Sequence, residues 1–276
     1  MEDLELEKVK VRTLSEIEEY EKTPLERRLT ARNTYDLLRQ GAAINPDAPA
    51  ISFFFAGEDW ASPKITSYRE MMSGITRTAN FFNDMGIGKG DVISYLLPNL
   101  PQTHLVLWGG EAAGIVNPIN YLLEPSTIRD ICKAAGTKVL VAFDDHPGWD
   151  IWQKAEAVRK ELPELKAVVR VMGPGDEKKG IYSFDELLPR YRDDRLDSGR
   201  FIEPEDIASM YHTGGTTGTP KLAPHTHFNE TFMAYVTGAV TELNTGETTM
   251  CGLPLFHVNG TTVTGSTPFS MGAHVV

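Results

Sequence analysis

Nine consecutive residues, Thr213-Gly214-Gly215-Thr216-Thr217-Gly218-Thr219-Pro220-Lys221, join three glycines, four threonine hydroxyls and one lysine. Those types in that order suit a grip on phosphate. Glycines turn with positive φ and admit a ligand close to the backbone, so consecutive N–H groups can converge on an anion. The hydroxyls add donors, and Lys221 adds a full positive charge. The stretch is not a Walker A loop, which needs glycine, four residues, then Gly-Lys-Ser/Thr. Thr219 and Pro220 part the last glycine from Lys221, and Leu222 stands where a magnesium-binding hydroxyl would follow. A glycine-rich surface turn is the competing reading, because Gly and Thr are common loop residues.

A loop of this kind must hang from rigid elements. Residues 207–211, Ile-Ala-Ser-Met-Tyr, read as a strand, so the loop leaves a sheet edge. Further upstream, Ser67 and Glu70 form a capping box. Tyr68, Met71, Met72, Ile75, Ala79 and Phe82 then recur at helical spacing, with Gly86 as the stop. Strand 92–97, helix 102–113, a short strand to 117, helix 126–135 with Gly136 as its stop, strand 139–143, helix 149–162 and strand 167–171 follow in turn. Such alternation predicts an α/β fold of mostly parallel sheets flanked by helices.

Residues 172–180 form a polar turn with Pro174 and three glycines, and 190–204 a highly charged connection. We therefore expect an N-terminal arm over 1–40, a first α/β subdomain over 41–200, and the start of a second over 201–276. Within the last, 226–243 reads as helix and 249–253 as strand-like. Residues 272–276 read as entry into another strand. Ser15-Glu16-Ile17-Glu18 offers a helix start inside the charge-rich arm.

The 276 residues carry 41% apolar and 24% charged side chains, ordinary for a globular protein with ample core. A net charge of −11 argues against general nucleic-acid binding. It also means that any polyanionic ligand must be met by local donors. Cys132 and Cys251 are the only cysteines, too few for a disulfide framework. The start, Met1-Glu2-Asp3-Leu4-Glu5, lacks the basic and apolar regions of a secretory signal. The most apolar window, 105–119, is interrupted by Glu111 and Asn117 and is too short to span a bilayer. The expectation is a cytoplasmic protein without a membrane span.

The nine-residue stretch resembles the phosphate-binding loop of the adenylate-forming superfamily, whose usual form is Tyr-Thr-Ser-Gly-Thr-Thr-Gly-x-Pro-Lys-Gly. This chain departs from it at His212, Gly214 and Leu222, which stand where Thr, Ser and Gly are usual. Pro254-Leu255-Phe256-His257-Val258-Asn259-Gly260 is similar to the family's Pro-Leu-Phe-His-x-x-Gly segment, which lines the acyl pocket. Gly90-Asp91-Val92, Leu97-Pro98-Asn99, Gly114 and Asn117-Pro118-Ile119-Asn120 follow its early core, and Pro46-Asp47-Ala48-Pro49-Ala50 and Ser67-Tyr68-Arg69-Glu70 its opening. The likeness runs from about 33 to 276. It implies the large N-terminal domain of such enzymes, incomplete here. Family members are about twice as long, so we expect a truncated chain without the C-terminal lid domain, its catalytic lysine and the ribose-binding residues, and inactive alone.

What the resemblance implies chemically is an acyl-CoA synthetase-like reaction. A fatty, aryl or other organic acid attacks Mg-ATP to give acyl-AMP, and CoA then takes the acyl group. Thr213, Gly214, Gly215, Thr216, Thr217 and Gly218 would hold the phosphates, with Thr216 or Thr217 as magnesium contacts. Lys221 would pair with phosphate or pin the loop to a carboxylate elsewhere. His257 is the candidate catalytic residue, as a donor to the substrate carboxylate, against the alternative of a core histidine satisfied by backbone. His227 matches the family's histidine after the loop, capping a helix or supporting the site. The other histidines carry no separate signal, and no protein metal site is expected, since His225 and His227 have no further ligand group beside them. Amino-acid-activating members place an aspartate where His257 stands, which disfavours an α-amino acid. Delivery to a carrier protein, and a non-catalytic nucleotide- or acyl-binding module, are the alternatives. Residue types leave acyl chain length and oligomeric state open.

Overall fold

The structure is a computed structural model that describes residues 12–213 and 221–276. The chain opens with α1 (Leu14–Glu21), α2 (Leu25–Arg28) and α3 (Thr34–Ile44), then the antiparallel pair β1 (Pro49–Phe53) and β2 (Lys64–Ser67). The alternating part runs α4 (Tyr68–Asp84), β3 (Val92–Leu96), α5 (Pro101–Ala113), β4 (Ile115–Pro118), α6 (Pro125–Ala135), β5 (Thr137–Phe143), α7 (Ile151–Glu161) and β6 (Ala167–Val171). After β7 (Ile181–Ser183) and α8 (Phe184–Leu187) come β8 (Ile207–His212), β9 (Leu222–Thr226) and α9 (His227–Thr241). The remaining elements are β10 (Thr248–Thr249), α10 (Val258–Thr261), α11 (Thr267–Ser270) and β11 (His274–Val275).

The main sheet has the order β7-β6-β5-β3-β4-β8-β9, parallel throughout except for the β8–β9 pair. A second sheet has the order β10-β11-β1-β2. This is the mostly parallel, helix-flanked α/β class. All five residues of β3 are buried, as a central strand covered on both faces requires. Both sheets draw strands from either side of residue 200: β8 and β9 extend the main sheet, and β11 pairs with β1. One apolar core accordingly runs from Ala50, Ile51 and Val275 to Ile93 and Val141.

Local chemistry sets the element ends. Ser67 caps α4 with Glu70 in a reciprocal box, and Thr226 caps α9 with Asn229 in the same way. Gly136 adopts a left-handed conformation (φ 68°) and stops α6. Pro101 and Pro125 open α5 and α6 one residue ahead of the expected starts, because a first-turn proline gives up an N–H that has no helical partner. Helices α4 and α5 cross at Gly109, where a Cβ would lie 2.6 Å from Thr78 Cβ and 2.7 Å from Ile75 O.

The arm expected over 1–40 is partly core. Leu37 and Leu38 on α3 are buried, and Tyr20 reaches α9 through a 2.6 Å hydroxyl contact with Tyr235 while Arg28 lies 4.0 Å over the Tyr20 ring. The expected strand over 249–253 is shorter than predicted: β10 ends at Thr249. Cys251 still donates its N–H to Val276 O at 2.7 Å, and the carbonyls of Cys251 and Leu253 are taken by a side chain just past the central strand β3, Asn99.

Candidate functional site

The loops that leave the carboxyl ends of β3, β4 and β8 gather on one side of the main sheet, where open α/β sheets form their ligand crevice. β8 delivers the phosphate stretch and β9 returns from it in antiparallel register, His212 opposite Leu222. The Thr213 N–H donates to the Lys221 carbonyl at 2.8 Å, and the Thr213 hydroxyl donates to the same oxygen at 3.3 Å. These bonds close the base of the loop. The Lys221 side chain is exposed and has no carboxylate within ion-pair distance among the described residues. Gly214, Gly215, Thr216, Thr217 and Gly218 lie outside the described residues.

The second candidate segment is the turn from Pro254 to Gly260. Its position is set by two residues at the end of β3. The Asn99 amide donates to the carbonyls of Cys251 (3.1 Å) and Leu253 (2.9 Å), and its oxygen accepts from the Leu255 N–H at 3.0 Å. The buried Tyr95 hydroxyl donates to the Leu255 carbonyl. Burial first, and the nearby Glu111 carboxyl second, push that phenol well above its ordinary range, so it keeps its proton and remains a donor. Gly260 lets the turn close: a Cβ there would sit 2.3 Å from the Pro254 carbonyl oxygen. By residue type, Leu97-Pro98-Asn99 belongs to the core pattern, and no task for Asn99 is evident in it. Its signal is a polar residue just past a wholly buried strand.

His257 is exposed and caps α10, its Nδ1 accepting from the Asn259 N–H at 3.2 Å. With Nδ1 engaged as acceptor, the ring proton sits on Nε2, which is left as an outward donor. The core-histidine alternative is therefore excluded. His212 at the end of β8 accepts from the Asn120 N–H through Nε2 at 3.1 Å. Burial, then the neighbouring His257, hold its pKa below the usual value, so it is neutral. Next to His212, the Tyr211 hydroxyl lies 2.8 Å from the Thr261 hydroxyl, so the end of β8 meets the helix that His257 caps, a contact that residue types alone did not disclose. Phe256 packs edge-on to Tyr121 at 5.5 Å, and Trp108 is fully buried, both as packing residues.

His227 opens the helix after β9 and faces α3. It is the first residue of α9, Thr226 being the cap, and is fully buried. Its Nδ1 accepts from the Thr34 N–H at 3.3 Å, and burial takes its pKa down to about 3. His225 faces Glu230 instead, at 3.1 Å. The two histidines serve different partners, and among the described residues no cluster of three His, Cys, Asp or Glu gathers to hold a metal. No helix of the described residues is long and apolar enough to cross a membrane.

The pattern of the AMP-binding enzyme family matches residues 38–276. The chain belongs to that family. It is 31% identical over 271 residues to the marinolic acid–CoA ligase of a Pseudoalteromonas species, which covers 96% of this chain and 41% of the relative. It is 26% identical to the long-chain-fatty-acid–CoA ligase of Bacillus subtilis, over 92% of this chain and 47% of that one. Among solved structures, the anthranilate CoA ligase AuaEII in complex with anthranoyl-AMP superposes with a TM-score of 0.75 at 22% identity, over 88% of this chain and 44% of that chain. The AMP-binding chain thus spans less than half of each of these relatives, and carries the fold of the corresponding part.

Proposed function

We propose that this chain forms the ATP- and acid-binding part of an AMP-forming acid–thiol ligase that activates an organic carboxylic acid and passes it to CoA. The observation that carries the proposal is that the strand leading into the Thr213–Lys221 stretch meets the helix capped by His257: the Tyr211 hydroxyl lies 2.8 Å from the Thr261 hydroxyl. Lys221, exposed and without a carboxylate partner among the described residues, offers an ammonium beside the carboxyl end of β8, a donor that fits a polyphosphate. Gly214, Gly215, Thr216, Thr217 and Gly218 would complete the donor set. When bound, a magnesium ion would share the phosphate charge, with Thr216 or Thr217 as its contacts.

In this reading the substrate carboxylate oxygen attacks the α-phosphorus, a P–O bond forms, and the bond to pyrophosphate breaks. Positioning and charge neutralisation are the main needs of such a step. His257 would hold the second carboxylate oxygen through Nε2–H, aligning the attacking one, and Lys221 would offset charge on the departing pyrophosphate. In the second step the CoA thiolate adds to the acyl carbon, and the C–O bond to AMP breaks. The absence of an acidic side chain at position 257 leaves nothing there to pair with an α-ammonium, which favours a fatty or aryl acid. That preference accords with the long-chain-fatty-acid and anthranilate ligases among the similar proteins.

The test is carboxylate-dependent exchange of labelled pyrophosphate into ATP, across short, long and aromatic acids, with this chain and any longer product of its reading frame. Exchange dependent on an acid supports the ligase and names the acid. ATP binding without exchange in every case would replace it with a nucleotide-binding module.

A further inference from the structure

We infer that Glu230 is a positioning residue that clamps both arms of the hairpin bearing the phosphate stretch. The inference rests on the function proposed above. Glu230 lies in the first turn of α9, and its side chain is 1% exposed. One of its oxygens, Oε1, accepts from the Ser209 hydroxyl at 2.7 Å and from His225 Nδ1 at 3.1 Å. Ser209 is on β8 and His225 on β9, and the two are direct partners across the antiparallel ladder. A single buried carboxyl therefore ties the strand that enters the phosphate stretch to the strand that leaves it.

The clamp has a firm mount. The first N–H groups of α9 are held by the chain before β8: His227 N donates to Asp206 O at 3.0 Å and Phe228 N to Pro204 O at 2.8 Å. Glu230 is thus fixed relative to the start of β8 and grips the hairpin part-way along. Beyond its grip, the Thr213 and Lys221 backbones close the loop base. Placing a carboxyl group in a dry interior is costly unless its bonds are made. Here those bonds are made to the two arms of one loop, so the cost is offset by fixing that loop. Glu111 on α5 is a second buried acid that feels Glu230. Burial, then Glu230, raise its pKa far above the ordinary range, so it stays protonated and adds no opposing charge.

The inference is tested by titrating the protein with ATP and magnesium calorimetrically and by following backbone amide hydrogen exchange over 207–212 and 222–226. Glu230→Ala is expected to weaken ATP binding about tenfold, the loss of one charge-assisted hydrogen bond's worth of loop order, and to speed exchange in both strands. Glu230→Gln, whose amide oxygen can still accept from both donors, is expected to restore most of each. Ile75→Ala, in the α4 core away from α9, is the comparison: it lowers the melting temperature and leaves ATP affinity unchanged. Should Glu230→Ala not fold, Glu230→Asp, one methylene shorter, takes its place. Wild-type affinity and hairpin exchange in the Glu230 variants would overturn the inference, as would an equal loss of affinity in Ile75→Ala. If the wild-type protein binds no ATP, the proposed function fails, and the hairpin exchange still decides the clamp.

Discussion

Replacing Asn99 by alanine tests how the turn from Pro254 to Gly260 is held. The wild-type side chain makes one hydrogen bond to that turn, from Leu255 N, and two to the residues leading into it, Cys251 O and Leu253 O. These groups differ in what they lose. Leu255 is fully buried, so its N–H goes unsatisfied, at about 1–1.5 kcal/mol. The half-buried Cys251 carbonyl adds roughly 0.5–1 kcal/mol, whereas Leu253 is 40% exposed and its carbonyl rehydrates at little cost. The sum is about 2 kcal/mol, which for a chain of this size lowers the melting temperature by roughly 4–8 °C. Tyr95 still holds the Leu255 carbonyl, so the turn loosens and does not detach. His257 then loses its fixed aim, and acid-dependent exchange should fall by about 10- to 100-fold in kcat/KM while ATP affinity holds. Asn99→Asp keeps the acceptor for Leu255 but sets a carboxylate against two carbonyl oxygens, and should be no better than alanine at neutral pH. Thermal denaturation and pyrophosphate exchange measure both. A melting temperature within 1 °C of wild type, with unchanged exchange, would refute this account of the turn.

Lys221→Ala should weaken ATP binding by about tenfold while acid affinity is kept, and His257→Ala should do the reverse; unchanged constants in calorimetric titration would remove either residue from its role. Gly260→Ala drives a methyl group against the Pro254 carbonyl and should cost about 1–3 kcal/mol in a urea titration. For Asp206, burial tends to raise the pKa, but hydrogen bonds from Lys89 and Arg200 outweigh it and bring it down from 3.8 to about 2. Because the folded-state value is the lower one, this contribution is full above about pH 4 and fades as pH falls through about 2. Asp206→Asn should therefore cost about 2 kcal/mol at pH 7, and the gap to wild type should close between pH 4 and 2; a pH-independent gap would show that the ion pairs are not its source.

The amino-acid sequence by itself determined the local order of this protein. Period and punctuation placed α4 with its Ser67–Glu70 box, ended α6 at Gly136, and marked β3, β5 and β6 as buried parallel strands. Those features depend on neighbours within a few residues, so residue types suffice to reveal them. The motif at 213–221 and the turn from 254 to 260 were legible for the same reason: each is a contiguous string. The tertiary structure decided what joins distant strings. It put β8 and β9 on the main sheet and β11 beside β1, across the boundary that a charged connection near 200 suggested. It gave Asn99 the carbonyls of a segment more than 150 residues away. It left His257 exposed on a helix that the end of β8 touches, and it placed one carboxyl, Glu230, between two strands that meet only when the sheet has formed. A hydrogen bond is directional and a few ångströms long, so partners remote in sequence become evident only once the chain has folded.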